Sequence, residues 1–309
     1  MVEGASVKAT TDSRVASSTA TAAGEAPLVR RPKKRAGPLE WLAVHFVFLI
    51  VCAFFLVPFL WLLSAAFDAK AGAYIQWPVA PTLMNFVRLF TDYDFGRVLF
   101  NSLFVAMATM ILVVIAVALA GYSLSRLDFR RKDWITYGVL LLQTMPISAT
   151  MVPIYGLAKQ LGLRNSYLGL VLISAAIELP FLIWLMKGFF DSIPRHLEEA
   201  AWLDGRTRMR ALVEIVVPLA RPGLGIAAGL AFLSAWAEVL LVIILIDTQD
   251  LTTLPLAFYQ AMRTQGGYTE VQYGVIAAMA VLYILPVMVV FFGARRFMVR
   301  GLMNSTRGL

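Results

Sequence analysis

Long apolar runs alternate with short polar ones along most of this chain. Six runs lie at about 41–66, 98–122, 134–157, 167–186, 223–246 and 273–294. Each comes near the ~20 residues that a helix needs to cross a hydrocarbon core of ~30 Å. The pattern predicts an all-α polytopic membrane protein with six transmembrane helices. Ahead of them, residues 1–36 are rich in Ala, Ser, Thr and Gly and end on a basic cluster, RRPKKR, at 30–35. Such a segment buries too little surface to offset its ordering entropy, so a disordered basic tail is expected, with the membrane domain over 37–309. It lacks the short apolar core and cleavage site of a signal peptide.

Composition agrees: 60% of the 309 residues are hydrophobic, 15% are charged, and the mean hydropathy is +0.75. The net charge of +8 suits a nucleic-acid partner as well as a membrane, so placement has to decide. With the N-terminus inside, 21 of the 27 Lys and Arg fall in the N-terminal tail, the 123–133 and 187–222 loops and the C-terminal tail. Only Lys70, Arg88, Arg97, Lys159, Arg164 and Arg263 fall outside. That bias marks cytoplasmic loops, so both termini are expected in the cytoplasm and no nucleic acid is expected as a partner. Cys52 is the single cysteine, and His45 and His196 stand far apart, which excludes an internal disulfide and points to no metal site. No glycine is followed by lysine, so the phosphate-binding Gly-Lys-Ser/Thr core is missing. No catalytic residue, no bound cofactor and no enzyme activity are expected of this chain.

Within the spans, Pro146, Pro153, Pro180 and Pro286 each remove a backbone donor, so kinks or local unwinding are expected there. Two carboxylates lie at depth, Glu178 about 16 Å in and Glu238 about 12 Å from the outer end of the fifth run, at ~1.5 Å per residue. A charge at such depth costs at least ~2.5 kcal/mol on insertion scales, so each needs a partner or a wet cavity. A brace between helices and a hydrogen-bonding group on a substrate pathway both meet that need. Glu238, Trp236, Glu178 and Gln143 are the candidates for such a pathway. The first outer loop, about 68–97, is aromatic, and its PTLMNFVRLF portion reads as a short amphipathic helix on the outer surface.

The longest inner loop, 187–222, carries a polar insert, EAAWLDGRTRMRALVEIVVP, at 199–218. Ser192 can cap a helix and Pro194 suits its first turn. HLEEAAWLD continues it, and Gly205, free to take positive φ, ends it. A second helix, about Thr207–Val216, is expected to stop before Pro218, with Pro222 opening the fifth span. Ala200 and Ala201 leave a shallow face beside Glu198 and Glu199, which suits another protein's groove with a charge contact at its rim. An ordinary amphipathic loop helix has the same local pattern.

The full spacing is more specific. Glu199-Ala200-Ala201, three residues, Gly205, nine residues, then Ile215-Val216-Val217-Pro218 resembles the signature loop of ABC-importer permeases, with Val217 where leucine is usual. NSLFVAMAT at 101–109, AGYSLSRLDF at 120–129, MPISATMVPIY at 145–155 and GLRNSYLGLVL at 162–172 resemble the maltose-type sugar permeases. So do LPFLIWLMKGFFDSIP at 179–194 and LTTLPLAFYQ at 251–260. AWAEVLL at 235–241 is similar to that family's Trp-Asn-Glu-Phe segment, with Ala237 replacing asparagine. The C-terminal GLMNSTRGL matches the family tail only at Gly301 and Leu302.

The resemblance implies a type I ABC-importer permease fold in a bacterial or archaeal cytoplasmic membrane. It implies a second, different permease chain, two ATPase copies that carry the ATP, and an extracytoplasmic substrate-binding protein. It assigns ATPase coupling to Glu199, Ala200, Ala201, Asp204, Gly205, Ile215 and Pro218. The expected cargo is a sugar, a di- or oligosaccharide, moved by alternating access. Alternatives are a glycerol-phosphate-type importer of the same branch and a stand-alone secondary transporter, the latter without the inverted repeats or intramembrane charge row it calls for.

Overall fold

The computed structural model describes residues 37–264 and 272–305. The N-terminal tail with RRPKKR and the last four residues lie outside them, as does any statement on the side chains of Gly301 and Leu302. All the described secondary structure is helical apart from one isolated β-bridge, Asp68 to Pro81. Two units divide the chain, Met1–Phe54 and Phe55–Leu309.

The described part of the first unit is the beginning of helix α1, Pro38–Ala66. Apart from Glu40 and His45 the side chains of that part are apolar, and nearly all of them are exposed, a composition that suits contact with lipid. The His45 ring lies 3.9 Å from the Trp41 ring and 2.7 Å from the Trp41 carbonyl, a local pairing one turn apart.

The second unit follows with α2 (Met84–Asp92), α3 (Phe95–Arg126), α4 (Lys132–Leu142), α5 (Ile147–Gln160) and α6 (Tyr167–Asp191). Next come α7 (His196–Leu203), α8 (Arg208–Ala211), a π-helical turn (Leu212–Val216) and α9 (Val217–Leu219). The set closes with α10 (Arg221–Ala237), α11 (Leu240–Leu245), α12 (Leu254–Thr264) and α13 (Tyr273–Ser305). Helix α2 is the expected amphipathic surface helix, turning Asn85 and Leu89 inward.

Among the described residues four helices are long and apolar enough to cross a membrane, α1, α3, α6 and α13; two bent helix pairs raise the count to as many as six. Helix α3 is the spine. Its 32 residues reach about 48 Å at ~1.5 Å per residue, so both ends outrun a bilayer core. Helix α6 runs parallel to it at close range, because Gly121 leaves no room for a side chain: a Cβ there would lie 3.0 Å from the Met186 Cβ. Tyr167 donates to Asn101 Oδ1 (2.6 Å) at one end of the pair, and Ser125 donates to Asp191 Oδ1 (2.6 Å) at the other. The loops sort accordingly. Arg97 pairs with Asp250 (2.5 Å), Arg164 pairs with Asp247, and Asn101 Nδ2 donates to the carbonyls of Asp250 (2.8 Å) and Thr252 (2.9 Å), all at the Phe95 end. Loop 192–220 gathers at the Arg126 end.

Pro146 breaks its run as expected, while the other three prolines lie inside continuous helices. The third run breaks at Pro146, where α4 and α5 meet at 97° and Pro146 itself is extended (ψ 133). Helices α5, α6 and α13, however, continue through Pro153, Pro180 and Pro286. The fifth run, expected as one helix over 223–246, breaks where it has no proline. Helix α10 stops at Ala237, Glu238 is extended (ψ 118), and α11 restarts at Leu240. At the break Glu238 Oε1, one residue before the Val239 that opens α11, accepts the Leu241 N–H (3.0 Å), which satisfies one of the orphan donors that a new helix start exposes.

Candidate functional site

Loop 187–222 forms two short helices, α7 and α8, joined at a sharp corner. The corner is Gly205, at φ +80. The Gly205 N–H bonds to the Trp202 carbonyl (3.0 Å) and the Arg206 N–H to the Ala201 carbonyl (3.0 Å), the paired closure of a helix ending on a left-handed residue. The start differs from expectation. Ser192 ends α6 and donates to the Phe189 carbonyl (2.7 Å), while α7 begins at His196 without a side-chain cap. The second helix also does not stop before Pro218. Pro218 has no N–H to give, and its ring would crowd the Glu214 carbonyl in a regular helix. The chain widens into the π-helical turn instead, with the Val217 N–H reaching back to Leu212, and runs on to Leu219.

Helix α7 has two distinct faces. Glu199, Ala200, Leu203 and Asp204 are exposed, Leu203 to 89%. Ala201 is buried, so the two alanines do not share the shallow face that their adjacency suggests. Glu198 is no rim charge either: it is 1% exposed and points into the bundle. There Arg126 Nε lies 2.5 Å from Glu198 Oε1, and the Tyr122 hydroxyl donates to Oε2 (2.7 Å). Arg126 also donates to the Ile193 carbonyl (2.9 Å) and to Ser125 Oγ (3.1 Å). Arg195 and Lys132 each donate to the Ser125 carbonyl at 3.1 Å, filling an acceptor that the end of α3 leaves open. In the second arm, Ile215 is half-buried beside the fully buried Val216, and Pro218 is half-buried. Arg206 pairs with Glu214 across the corner.

The transmembrane candidates converge only in part. Gln143, Glu178 and Glu238 line one cavity of about 680 Å³, together with Thr150, Ser234, Pro153 and Pro180. Both helix breaks open onto it: Leu142, Gln143, Met145 and Ile147 from the α4–α5 break, and Glu238 from the α10–α11 break. Irregular backbone inside a membrane is tolerated where it borders such a space. The Ser234 hydroxyl donates to Glu178, tying α10 to α6. No Lys or Arg lines the cavity. Trp236 does not belong to it. It is 1% exposed and packs on Phe232 (5.8 Å) and Tyr283 (5.5 Å), inside the core rather than on a pathway.

Comparison with known proteins agrees with this arrangement. Residues 113–304 match the family described as binding-protein-dependent transport system inner membrane component. The sulfoquinovosyl glycerol transport system permease protein of Agrobacterium fabrum is 34% identical over 86% of this chain and 92% of its own length. The trehalose transport system permease protein of Mycobacterium tuberculosis is 33% identical over 83% of this chain and 93% of its own. Among solved structures, a chain of a bacterial ABC transporter that imports the acidic polysaccharide alginate superposes with a TM-score of 0.74. It is 21% identical and is covered over 86% of this chain and 99% of its own length. The chain belongs to the binding-protein-dependent transport system inner membrane components, and it is a carbohydrate-branch ABC permease rather than a catalytic subunit.

Proposed function

We propose that this chain is the permease subunit of an ATP-driven sugar importer, and that the exposed face of α7 is where separate ATPase subunits dock. The matched relatives move sulfoquinovosyl glycerol and trehalose, and the matched structure belongs to an alginate importer. In this reading the Arg126 end faces the cytoplasm, both termini are inside, and α10 with α11 forms the fifth of six spans. A second permease chain completes the pathway as a heterodimer. An extracytoplasmic binding protein delivers the sugar at the Phe95 end, and ATP binds only to the paired ATPase subunits. The membrane is a bacterial or archaeal cytoplasmic membrane.

The observation that carries the proposal is the division of α7. Its inner side is clamped by Glu198 and Ala201, while Glu199, Ala200, Leu203 and Asp204 are left bare for a partner. Closure of the ATPase pair then drives α7 as a rigid element, and the spans alternate between inward-open and outward-open states. The cavity bears on the cargo. Gln143, Glu178 and Glu238 without any basic residue suit the hydroxyls of a neutral di- or oligosaccharide and repel phosphate, sulfonate or uronate groups. That favours a neutral sugar over the glycerol-phosphate alternative.

The test is uptake into proteoliposomes holding the assembled importer. Glu199→Lys reverses the charge on the docking face, and Gly205→Val forces a β-branched residue to positive φ. Both variants are expected to insert into the membrane and to lose ATP-driven uptake; full uptake by both overturns the coupling role of α7.

A further inference from the structure

Besides the four-residue backbone link 192–195 back to α6, three routes lead out of α7 into the membrane part of the chain, and they differ in stiffness. One runs along the backbone: through the Gly205 corner, through the π-helical turn, and around a 79° bend between α9 and α10. Each of these is a place where the chain can flex. The second is the apolar packing of Ala201, which can slide. The third is the side chain of Glu198, and it leads directly to the ends of two long helices.

We propose that Glu198 and Arg126 are positioning residues whose ion pair is the joint that makes α7 move together with α3 and α6. This rests on the docking role assigned to α7 above and adds the path by which the stroke leaves it. The pair is almost fully enclosed, with 8% of the Arg126 side chain and 1% of the Glu198 side chain exposed. Stability alone does not call for it, since well-packed apolar side chains hold two helices as well as a buried ion pair or better. What the pair adds is direction. The Arg126 guanidinium is a planar fork with fixed donor angles, and all three of its nitrogens are engaged, by Glu198, Ile193 and Ser125. Glu198 spends one oxygen on that fork and the other on Tyr122, one turn earlier on α3. Rotating α7 against α3 therefore breaks charged hydrogen bonds in a dry setting, which apolar contacts do not resist.

The joint also reaches α6. Ser125 accepts from Arg126 and donates to Asp191 (2.6 Å), and Asp191 holds Lys187 (2.6 Å) one turn back. The Ile193 carbonyl that binds Arg126 follows directly after α6. Pushing α7 thus loads α3 and α6 together, the closely packed parallel pair that forms the spine of the bundle. Helix α10 follows α7 along the softer backbone route, and it also shares an apolar core with α3 and α6 through Ala227 and Ala231. Neighbouring glutamates divide the work: Glu199 faces the partner and Glu198 faces the bundle.

The test follows rigidity itself and needs no knowledge of the sugar. Spin labels are placed at Leu119 on α3 and Trp202 on α7, both exposed, in a Cys52→Ser background. The full importer is compared without nucleotide and after trapping with ATP and orthovanadate. The expected result is one narrow distance distribution, unchanged by trapping. Glu198→Gln keeps the shape and one oxygen but not the charge; on trapping, its distribution should shift or broaden. Tyr122→Phe, which removes only the hydroxyl contact, should broaden less and covers the case in which Glu198→Gln does not assemble. A distribution that shifts on trapping in the unmodified chain overturns the joint, as do variants that stay as narrow as the parent. A purely structural role for the pair predicts no dependence on nucleotide. Co-purification of Glu199→Lys with the ATPase subunits at the parent's level would instead refute the docking of α7, whatever the labels report.

Discussion

Two inward-facing acidic places in this chain are solved in opposite ways. At the Arg126 end, Glu198 is closed off from solvent, matched by a cation and bonded at both oxygens. In the middle of the bundle, Glu178 and Glu238 share a cavity with Gln143, Thr150 and Ser234, and no cation lines it. A matched carboxylate has nothing left to offer a ligand; it fixes two elements in one geometry. Carboxylates bordering a 680 Å³ space keep acceptors free for something that comes and goes. The first arrangement suits transmission of force and the second suits passage of a polar cargo.

The sharpest way to break this contrast is to strip the matched site of its cation. Arg126→Leu leaves Glu198 buried with only Tyr122 to bond, and such an unpaired charge costs about 3–5 kcal/mol. Thermal unfolding of the detergent-solubilised importer should show the loss. Arg126→Leu combined with Glu198→Leu should recover most of that stability, because an apolar pair replaces an ionic one at little cost. Uptake should not recover with it. If uptake does return, the pair is a brace and nothing more.

A third carboxylate extends the comparison with neither cation nor cavity. Asp68, just past α1, is 1% exposed and accepts the N–H groups of Lys70, Val79 and Ala80 at 3.0 Å each. The Lys70 N–H above all, then those of Val79 and Ala80, hold its carboxyl below the usual carboxylate range, against the opposing pull of burial. The ionised form is therefore favoured by folding. Its contribution is complete above the ordinary carboxylate pKa and drains away as pH falls through the depressed value, below about pH 4. Asp68→Asn loses an acceptor oxygen for these part-buried N–H groups, worth about 0.5–1.5 kcal/mol, and should flatten the acid limb of the stability profile. An unaltered acid limb in that variant would assign the pH dependence elsewhere.

These three sites were unequally legible in the sequence. The apolar runs gave the long helices because a span's length is set by the bilayer, and Gly205 marked the α7 corner because positive φ favours glycine. The inward turn of Glu198 was hidden. Glu198 and Glu199 differ only by the 100° that separates neighbours on a helix, and which one faces in depends on Arg126, 72 residues earlier. AGYSLSRLDF held that arginine in plain view, yet a basic residue at a helix end also reads as a topology signal. The break at Glu238 was hidden for another reason: no Pro or Gly marks it, and a glutamate cap within an apolar run is rare. Trp236 shows the converse case: it stands beside Glu238 in sequence, while helix geometry turns it into the core, away from the residues that line the cavity.

Glu238 is where the open site is tested most finely, and the expected effect on stability is the smallest. Its carboxylate does two things at once: Oε1 caps α11 through the Leu241 N–H, and the side chain borders the cavity. Two substitutions separate them. Glu238→Ala removes the cap, worth about 0.5–2 kcal/mol, along with the charge. Glu238→Gln keeps an oxygen for Leu241 and removes the charge alone, so its unfolding temperature should stay near that of the parent. If the cavity carries the cargo, both variants lose uptake, because each removes an acceptor that the sugar's hydroxyls meet. If Glu238 only braces the break between α10 and α11, Glu238→Gln keeps full uptake and Glu238→Ala alone falls. The second outcome would leave Glu178, held by Ser234, and Gln143 as the polar groups of the pathway, and would move Glu238 into the same class as Glu198, a carboxylate that shapes the fold and touches nothing that moves through it.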